Sequence, residues 1–191
     1  MMITASGSSV YLKSLAMEDA DAIQRNADDP ELARDVASAG HFPHPYTMAD
    51  ALEFIQRAVS LYPLMTDLHL GVWATSENAL VGACALRGID LRNKRAEIGY
   101  WIGKPHWGKG YGKNAVAVML SYGFKALELN RVYCNAFESN ARSIALLRSL
   151  GFVEEGRLRA HDTIEGKPVD SLSFGVLKEE FVKMQKVEIS D

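Results

Sequence analysis

The 191-residue chain has two cysteines, and it has no excess of basic charge: 21 Lys and Arg against 24 Asp and Glu give a formal net charge of −3. So few cysteines exclude a disulfide-stapled secreted scaffold. Cys84 and Cys134 sit in the apolar runs Val81–Leu86 and Arg131–Ala136, which points to buried thiols and a cytoplasmic setting. A dedicated nucleic-acid binder normally carries a strongly basic balance, so no direct nucleic-acid partner is expected. No stretch approaches the ~18 consecutive apolar residues of a membrane span. Met1–Ser9 lacks the basic and apolar regions of a signal peptide, and no membrane partner is expected. Five histidines are scattered. His41 and His44 are three apart, but Pro43 and Pro45 break any helix that would align them, so no metal is expected.

What is present is ordinary globular composition, 48% hydrophobic and 24% charged, long enough for one domain over residues 1–191 with its own core. Val10–Leu15 alternates as a strand should. Acidic residues Glu18, Asp19 and Asp21 open a helix, and Asp29-Pro30 opens a second one through Val36. A loop from Ala37 to Tyr46 precedes Thr47 and Asp50, an N-terminal helix signal. The helix after it is predicted to bury Leu52, Ile55, Val59 and Tyr62 and to stop at Pro63. Apolar β-type runs follow at Leu68–Thr75, Leu80–Leu86 and Ala96–Ile102, then a helix from Lys113 to about Leu127 and a strand at Arg131–Phe137. Asn140–Leu150 reads as a helix capped by Gly151, and a hairpin closes the chain over Phe152–His161 and Val169–Leu177. This order predicts an α/β fold with a mixed sheet rather than a doubly wound one.

The most informative segment is Trp107-Gly108-Lys109-Gly110-Tyr111-Gly112-Lys113. It follows a strand and opens a helix. Glycines allow close backbone approach, and a helix N-terminus carries about half a positive charge, so the segment suits a phosphate or pyrophosphate. It is not a Walker loop, because Gly110 stands where magnesium needs a hydroxyl. It is not a dinucleotide fingerprint, because Lys113 stands where the last glycine belongs.

Trp107–Gly112 resembles the Q/R-x-x-G-x-G/A motif of the GNAT superfamily of N-acetyltransferases, with Trp107 where Gln or Arg is commoner. Ala96–Ile102, Asn140-Ala141-Arg142-Ser143, Leu150-Gly151-Phe152 and Glu155-Gly156 resemble its RimJ/RimL-like branch, which acetylates ribosomal-protein N-termini. The resemblance runs from Val10 to about Glu180. It implies a mostly antiparallel sheet, flanked by helices, that splays open between the strand ending at Ile102 and the strand Arg131–Phe137, with acetyl-coenzyme A in the split. Backbone contacts to the pantetheine arm are implied at Trp101, Ile102 and Gly103. Pyrophosphate contacts are implied at Gly108, Lys109, Gly110, Tyr111, Gly112 and Lys113, and a side-chain contact to the pantetheine at Asn140. A homodimer is compatible with the family.

Acetyl transfer to an amine needs a neutral amine, a donor for the developing oxyanion and a stabilised leaving thiolate. Glu97 matches a Glu that the branch often places beside the acceptor amine, and is the expected base. Its alternative is a structural partner for Arg95 or Arg131. Many superfamily members carry a Tyr acid where this chain has Leu147, so Ser143 is the expected acid, with Tyr100 and Tyr111 as weaker candidates. Phe42 and Tyr46, in the loop Gly40–Tyr46, are expected to contact the acceptor. The resemblance favours a protein or peptide N-terminal α-amine. A small amine (polyamine, amino acid or antibiotic) and a coenzyme-A-binding sensor without turnover are the alternatives.

Overall fold

The computed structural model describes residues 2–4, 8–36, 42–61, 64, 66–164 and 166–187. Eight strands form one sheet: β1 (Met2–Ile3), β2 (Val10–Lys13), β3 (Leu68–Ala74), β4 (Ala79–Asp90), β5 (Arg95–Ile102), β6 (Arg131–Phe137), β7 (Val153–Ile164) and β8 (Lys167–Leu177). Their order is β1-β2-β3-β4-β5-β6-β8-β7. Every neighbouring pair is antiparallel except β5 and β6. The mixed, mostly antiparallel sheet is the one expected. β1 and the C-terminal helix α6 (Lys178–Val187) were not foreseen.

Side-chain alternation gives the sheet two unlike faces. On one face, Leu68, Leu70, Val72, Ile98, Ile102, Val132 and Phe174 form the main core with helix α4 (Tyr111–Lys125), α5 (Ala141–Ser149) and Phe181 of α6. On the other, Trp73, Ala83 and Trp101 form a second core with α1 (Ala20–Ala27), α2 (Pro30–Val36) and α3 (Met48–Leu61).

The start of α3 is as expected: the Thr47 backbone amide donates to Asp50 Oδ2 at 2.7 Å, and the Asp50 amide donates to Thr47 Oγ1 at 3.3 Å. Its buried face differs from the prediction. Ala51, Ile55 and Ala58 are buried, whereas Leu52 is 37% exposed and Val59 53% exposed. Alanines let α3 lie close against α1 and the sheet, and a stripe with larger side chains would hold it off. Tyr62, Pro63 and the turn residue Glu165 lie outside the described residues, as do Gly40 and His41 of the expected acceptor loop.

Candidate active site

Strand β5 runs parallel to β6 for three registered pairs, Arg95 with Arg131, Ala96 with Val132 and Glu97 with Tyr133. Beyond them no ladder joins the two strands, while β5 stays paired with β4 through Ile102 and β6 with β8 through Phe137. The sheet therefore splits after Glu97. A cleft of about 740 Å³ opens there, lined by Gly99 to Ile102 on one side, Cys134 to Ala136 on the other, and residues of α2, α3, α4 and α5.

The glycine segment forms one end. Gly108 and Gly110 have φ of +75° and +77°, which an L side chain adopts only at a cost. No atom lies within 4 Å of a Cβ built at Gly108. Helix α4 starts at Tyr111, earlier than expected, with Gly110 as its N-cap. Among the described residues, the backbone amides from Gly108 to Lys113 donate no recorded hydrogen bond, and the first to do so is Asn114, to the Gly110 carbonyl at 3.0 Å. Consecutive free amides at the mouth of a 15-residue helix fit a diphosphate. Lys113 lines the cleft and Lys109 is exposed beside it.

Two of the expected pantetheine contacts carry other duties. The Trp107 indole donates to the Ile102 carbonyl at 2.6 Å, and the Gly103 amide donates to the Val81 carbonyl at 2.9 Å. Trp107, the departure from the family motif, thus braces the strand end, and the Arg142 guanidinium stacks 3.9 Å from its ring centroid. Asn140 caps α5: its Oδ1 accepts from the Ser143 amide at 3.0 Å, and its Nδ2 donates to the Asp35 carbonyl at 3.3 Å. Arg142 bonds Glu31 and Asp35, and Lys104 bonds Asp29 and Glu31. The acidic side of α2 thereby ties the end of β5 to the start of α5. The guanidinium of Arg142 and the ammonium of Lys104 hold the Glu31 carboxyl below its ordinary range.

Ser143 lines the split, and its Oγ lies 2.8 Å from the Tyr100 hydroxyl. The two are 43 residues apart in sequence, and the structure joins two separate candidates into one pair. Burial raises the Tyr100 pKa, so the phenol stays protonated. Leu147 is fully buried in the main core, where it serves as a packing residue. Tyr111 is also buried and stacks obliquely with His106.

Glu97 faces α1–α3 with Gly99 and Trp101. Its partner is neither Arg95, which pairs with Asp90, nor Arg131, which pairs with Glu155, but Arg87. Arg87 Nη2 donates to Glu97 Oε1 at 2.6 Å. Arg87 lines the cleft, and the Glu97 charge is felt at Cys134, which lines it too. A Cβ at Gly99 would lie 3.4 Å from the guanidinium, an ordinary contact, so Arg87 lies over this glycine. On the same face Phe42 packs on Tyr46 (5.1 Å between centroids) and edge-on against Trp101 (5.8 Å). The Tyr46 backbone is anchored by Asp28 and Gln24. Burial, with Asp50 and Glu53 nearby, pushes its phenol up to about 12. Phe54, Arg57 and His69 line the cleft on this side. His69 lies in an apolar strand without any motif, and sequence reasoning passed over it.

Cys84 and Cys134 are free and buried, and burial pushes both thiols up to about 12, which keeps them protonated and unreactive. His44 pairs with Asp28. Among the described residues no group of His, Cys, Asp and Glu is arranged to hold a metal, and no helix is long and apolar enough to cross a membrane.

Comparison with known proteins fits this geometry. Residues 9–153 match the acetyltransferase (GNAT) domain. The chain belongs to the GNAT acetyltransferase family. Its relatives include the uncharacterized N-acetyltransferase p20 of Bacillus licheniformis, 32% identical over 89% of this chain and 93% of that protein. They also include the putative ribosomal N-acetyltransferase YdaF of Bacillus subtilis, 38% identical over 55% of this chain and 57% of that one. A spermidine N(1)-acetyltransferase of Vibrio cholerae is 28% identical over 56% and 62%. The fold matches Mycobacterium smegmatis RimJ in complex with CoA-disulfide, with a TM-score of 0.85 at 21% identity over 98% of this chain and 94% of that one. The protein is therefore a GNAT-family N-acetyltransferase, and the split sheet is that family's fold.

Proposed function

We propose that the cleft transfers an acetyl group from acetyl-coenzyme A to the N-terminal α-amine of a protein or peptide. The observation that supports this acceptor is the likeness to the putative ribosomal N-acetyltransferase YdaF, 38% identical over 55% of this chain, which is higher than the 28% over 56% for the spermidine N(1)-acetyltransferase. A peptide N-terminus carries one ammonium followed by neutral backbone carbonyls, which guanidinium groups can bond. The energetics point the same way. Deprotonating an α-amine at pH 7 costs about 1 kcal/mol, against about 4–5 kcal/mol for a lysine amine.

The amides of Gly108–Lys113, with the Lys113 ammonium, would hold the diphosphate, and the split strand edges would hold the pantetheine arm. The cosubstrate supplies an activated thioester. Glu97, with Oε1 committed to Arg87, offers its second oxygen as a negative partner for the incoming ammonium. Ser143, oriented by Tyr100, donates a hydrogen bond to the departing sulfur. Phe42 and Tyr46 pack against the acceptor chain. Two buried free thiols suit a reducing compartment, and we assign the protein to the cytoplasm.

The test is a set of initial rates on three acceptors: a peptide with a free N-terminus, the same peptide blocked at the N-terminus but carrying a lysine, and spermidine. The free peptide is expected to be fastest by at least tenfold. Equal rates on the two peptides, or activity confined to spermidine, overturns the α-amine assignment.

A further inference from the structure

Strand register places His69, Ala85 and Gly99 in one row across β3, β4 and β5 on the face toward α3. All three line the cleft. Ala85 contributes one methyl group and Gly99 no side chain, so a shallow floor runs from the split in the sheet to the imidazole. Two strand spacings give roughly 10 Å between the Gly99 and His69 backbones. Phe54 of α3 holds the imidazole edge-on, with 6.1 Å between centroids. Among the described residues neither ring nitrogen has a recorded hydrogen-bond partner, although most of the residue is buried. A polar ring pointed at a substrate cleft with both nitrogens unspent is available to a ligand. Glu97, in contrast, has one oxygen held by Arg87.

We propose that His69 takes the proton from the acceptor ammonium. Neutral imidazole forms an N–H bond as one ammonium N–H bond breaks. The freed nitrogen lone pair forms the C–N bond to the acetyl carbon, and the C–S bond breaks. The nitrogen loses its second proton as the amide forms, and that proton passes through the Ser143 hydroxyl to the leaving sulfur. The first proton leaves His69 for solvent, so one proton is released per turnover. This rests on the acetyl-transfer reading of the cleft.

The charged groups around the ring allow this role. Asp67, just before β3, Arg57 on α3 and Arg87 on β4 act on the ring; Asp50 and Glu53 on α3 line the same cleft, and Glu97 on β5 bonds Arg87. Burial, with Arg87 and Arg57, lowers the His69 pKa against the opposing pull of Asp67. The ring is then neutral at pH 7 and able to accept.

The test combines His69→Gln and His69→Ala with kinetics and NMR on the intact chain. In the wild type, kcat should level off above about pH 6.5. In His69→Gln it should fall about 10²-fold at pH 7 and keep rising to about pH 8, where the amine deprotonates unaided, with the acetyl-coenzyme A KM unchanged. Added imidazole should restore at least tenfold in His69→Ala, an effect that a packing role for the ring would not produce. The imidazole NMR signals should titrate below pH 6.5 in the free enzyme and shift when an N-terminally free peptide is added. An unshifted acid limb in His69→Gln, no rescue, or displacement of that limb by Glu97→Gln alone overturns the proposal. If the wild type acetylates spermidine and no peptide, the α-amine reading fails, while the rescue and the titration, run with spermidine as acceptor, still decide the role of His69.

Discussion

The Tyr100–Ser143 pair permits a double-variant test in which structure sets the magnitude. The two oxygens lie 2.8 Å apart, Tyr100 on β5 and Ser143 at the start of α5, on opposite sides of the split. Tyr100→Phe removes one hydroxyl and nothing of the ring's packing against the core. Ser143 lines the cleft, so water can reach its Oγ in the variant. The stability loss is then that of one hydrogen bond, about 1 kcal/mol. For a domain of this size that corresponds to a drop of about 2–4 °C in Tm. Catalysis should suffer more. If Ser143 serves the departing sulfur, Ser143→Ala should lower kcat by about 10²-fold. Tyr100→Phe leaves a serine whose rotor is no longer set, and it should lower kcat as well, with the KM for acetyl-coenzyme A little changed.

The decisive measurement is the double variant, by single-turnover kinetics and thermal unfolding. Groups that act as a unit are not additive, so Tyr100→Phe/Ser143→Ala should be no slower than Ser143→Ala alone. Because burial raises the Tyr100 pKa, the phenol should contribute no limb to the pH profile between about pH 6 and 9. If the two kcat losses multiply, the hydrogen bond has no part in catalysis and the pairing is structural.

Two further outcomes follow from the glycines. Gly110→Asp puts a negative side chain beside the free amides of the α4 N-terminus, at a residue with φ of +77°. Calorimetric titration should show acetyl-coenzyme A binding weakened at least tenfold, or about 1.4 kcal/mol, and unchanged affinity in a folded variant removes the cradle from the site. Gly82→Ala would put a Cβ 2.2 Å from the Trp101 carbonyl oxygen, a backbone atom that cannot turn aside. Overpacking of this kind costs roughly 1–3 kcal/mol, so Tm should fall by several degrees, and a Tm within 1 °C of wild type means that β4 and β5 separate more easily than their pairing suggests.

The parts legible in the sequence are those whose causes are local. A helix start such as Thr47-x-x-Asp50 is read within four residues because its hydrogen bonds close within four residues. The free amides of Gly108–Lys113 are legible for the same reason: a strand end, glycines and a helix start are consecutive, and such amides follow from helix geometry alone. The alternation of β5 also put Glu97, Gly99 and Trp101 on one side correctly. The face of α3 was misread because periodicity ranks residues by hydrophobicity, whereas the structure chose alanines for close approach and left Leu52 and Val59 outside.

What tertiary structure alone decided is the company each residue keeps. Three arginines lie on β5 or its neighbouring strands, and register gave Glu97 Arg87 rather than Arg95 or Arg131. Tyr100 and Ser143 meet because β5 and β6 part after Glu97 and α5 returns across the gap. Asn140, expected to reach the pantetheine, caps α5 and holds α2. His69 joined the site because two small residues, Ala85 and Gly99, fell into its row on neighbouring strands. The amino-acid sequence determined where backbone amides would stand free to hold a phosphate, since that depends on bonds between near neighbours. Which side chains would converge on the acceptor depended on strand pairing between residues up to tens of positions apart, and packing chose that pairing.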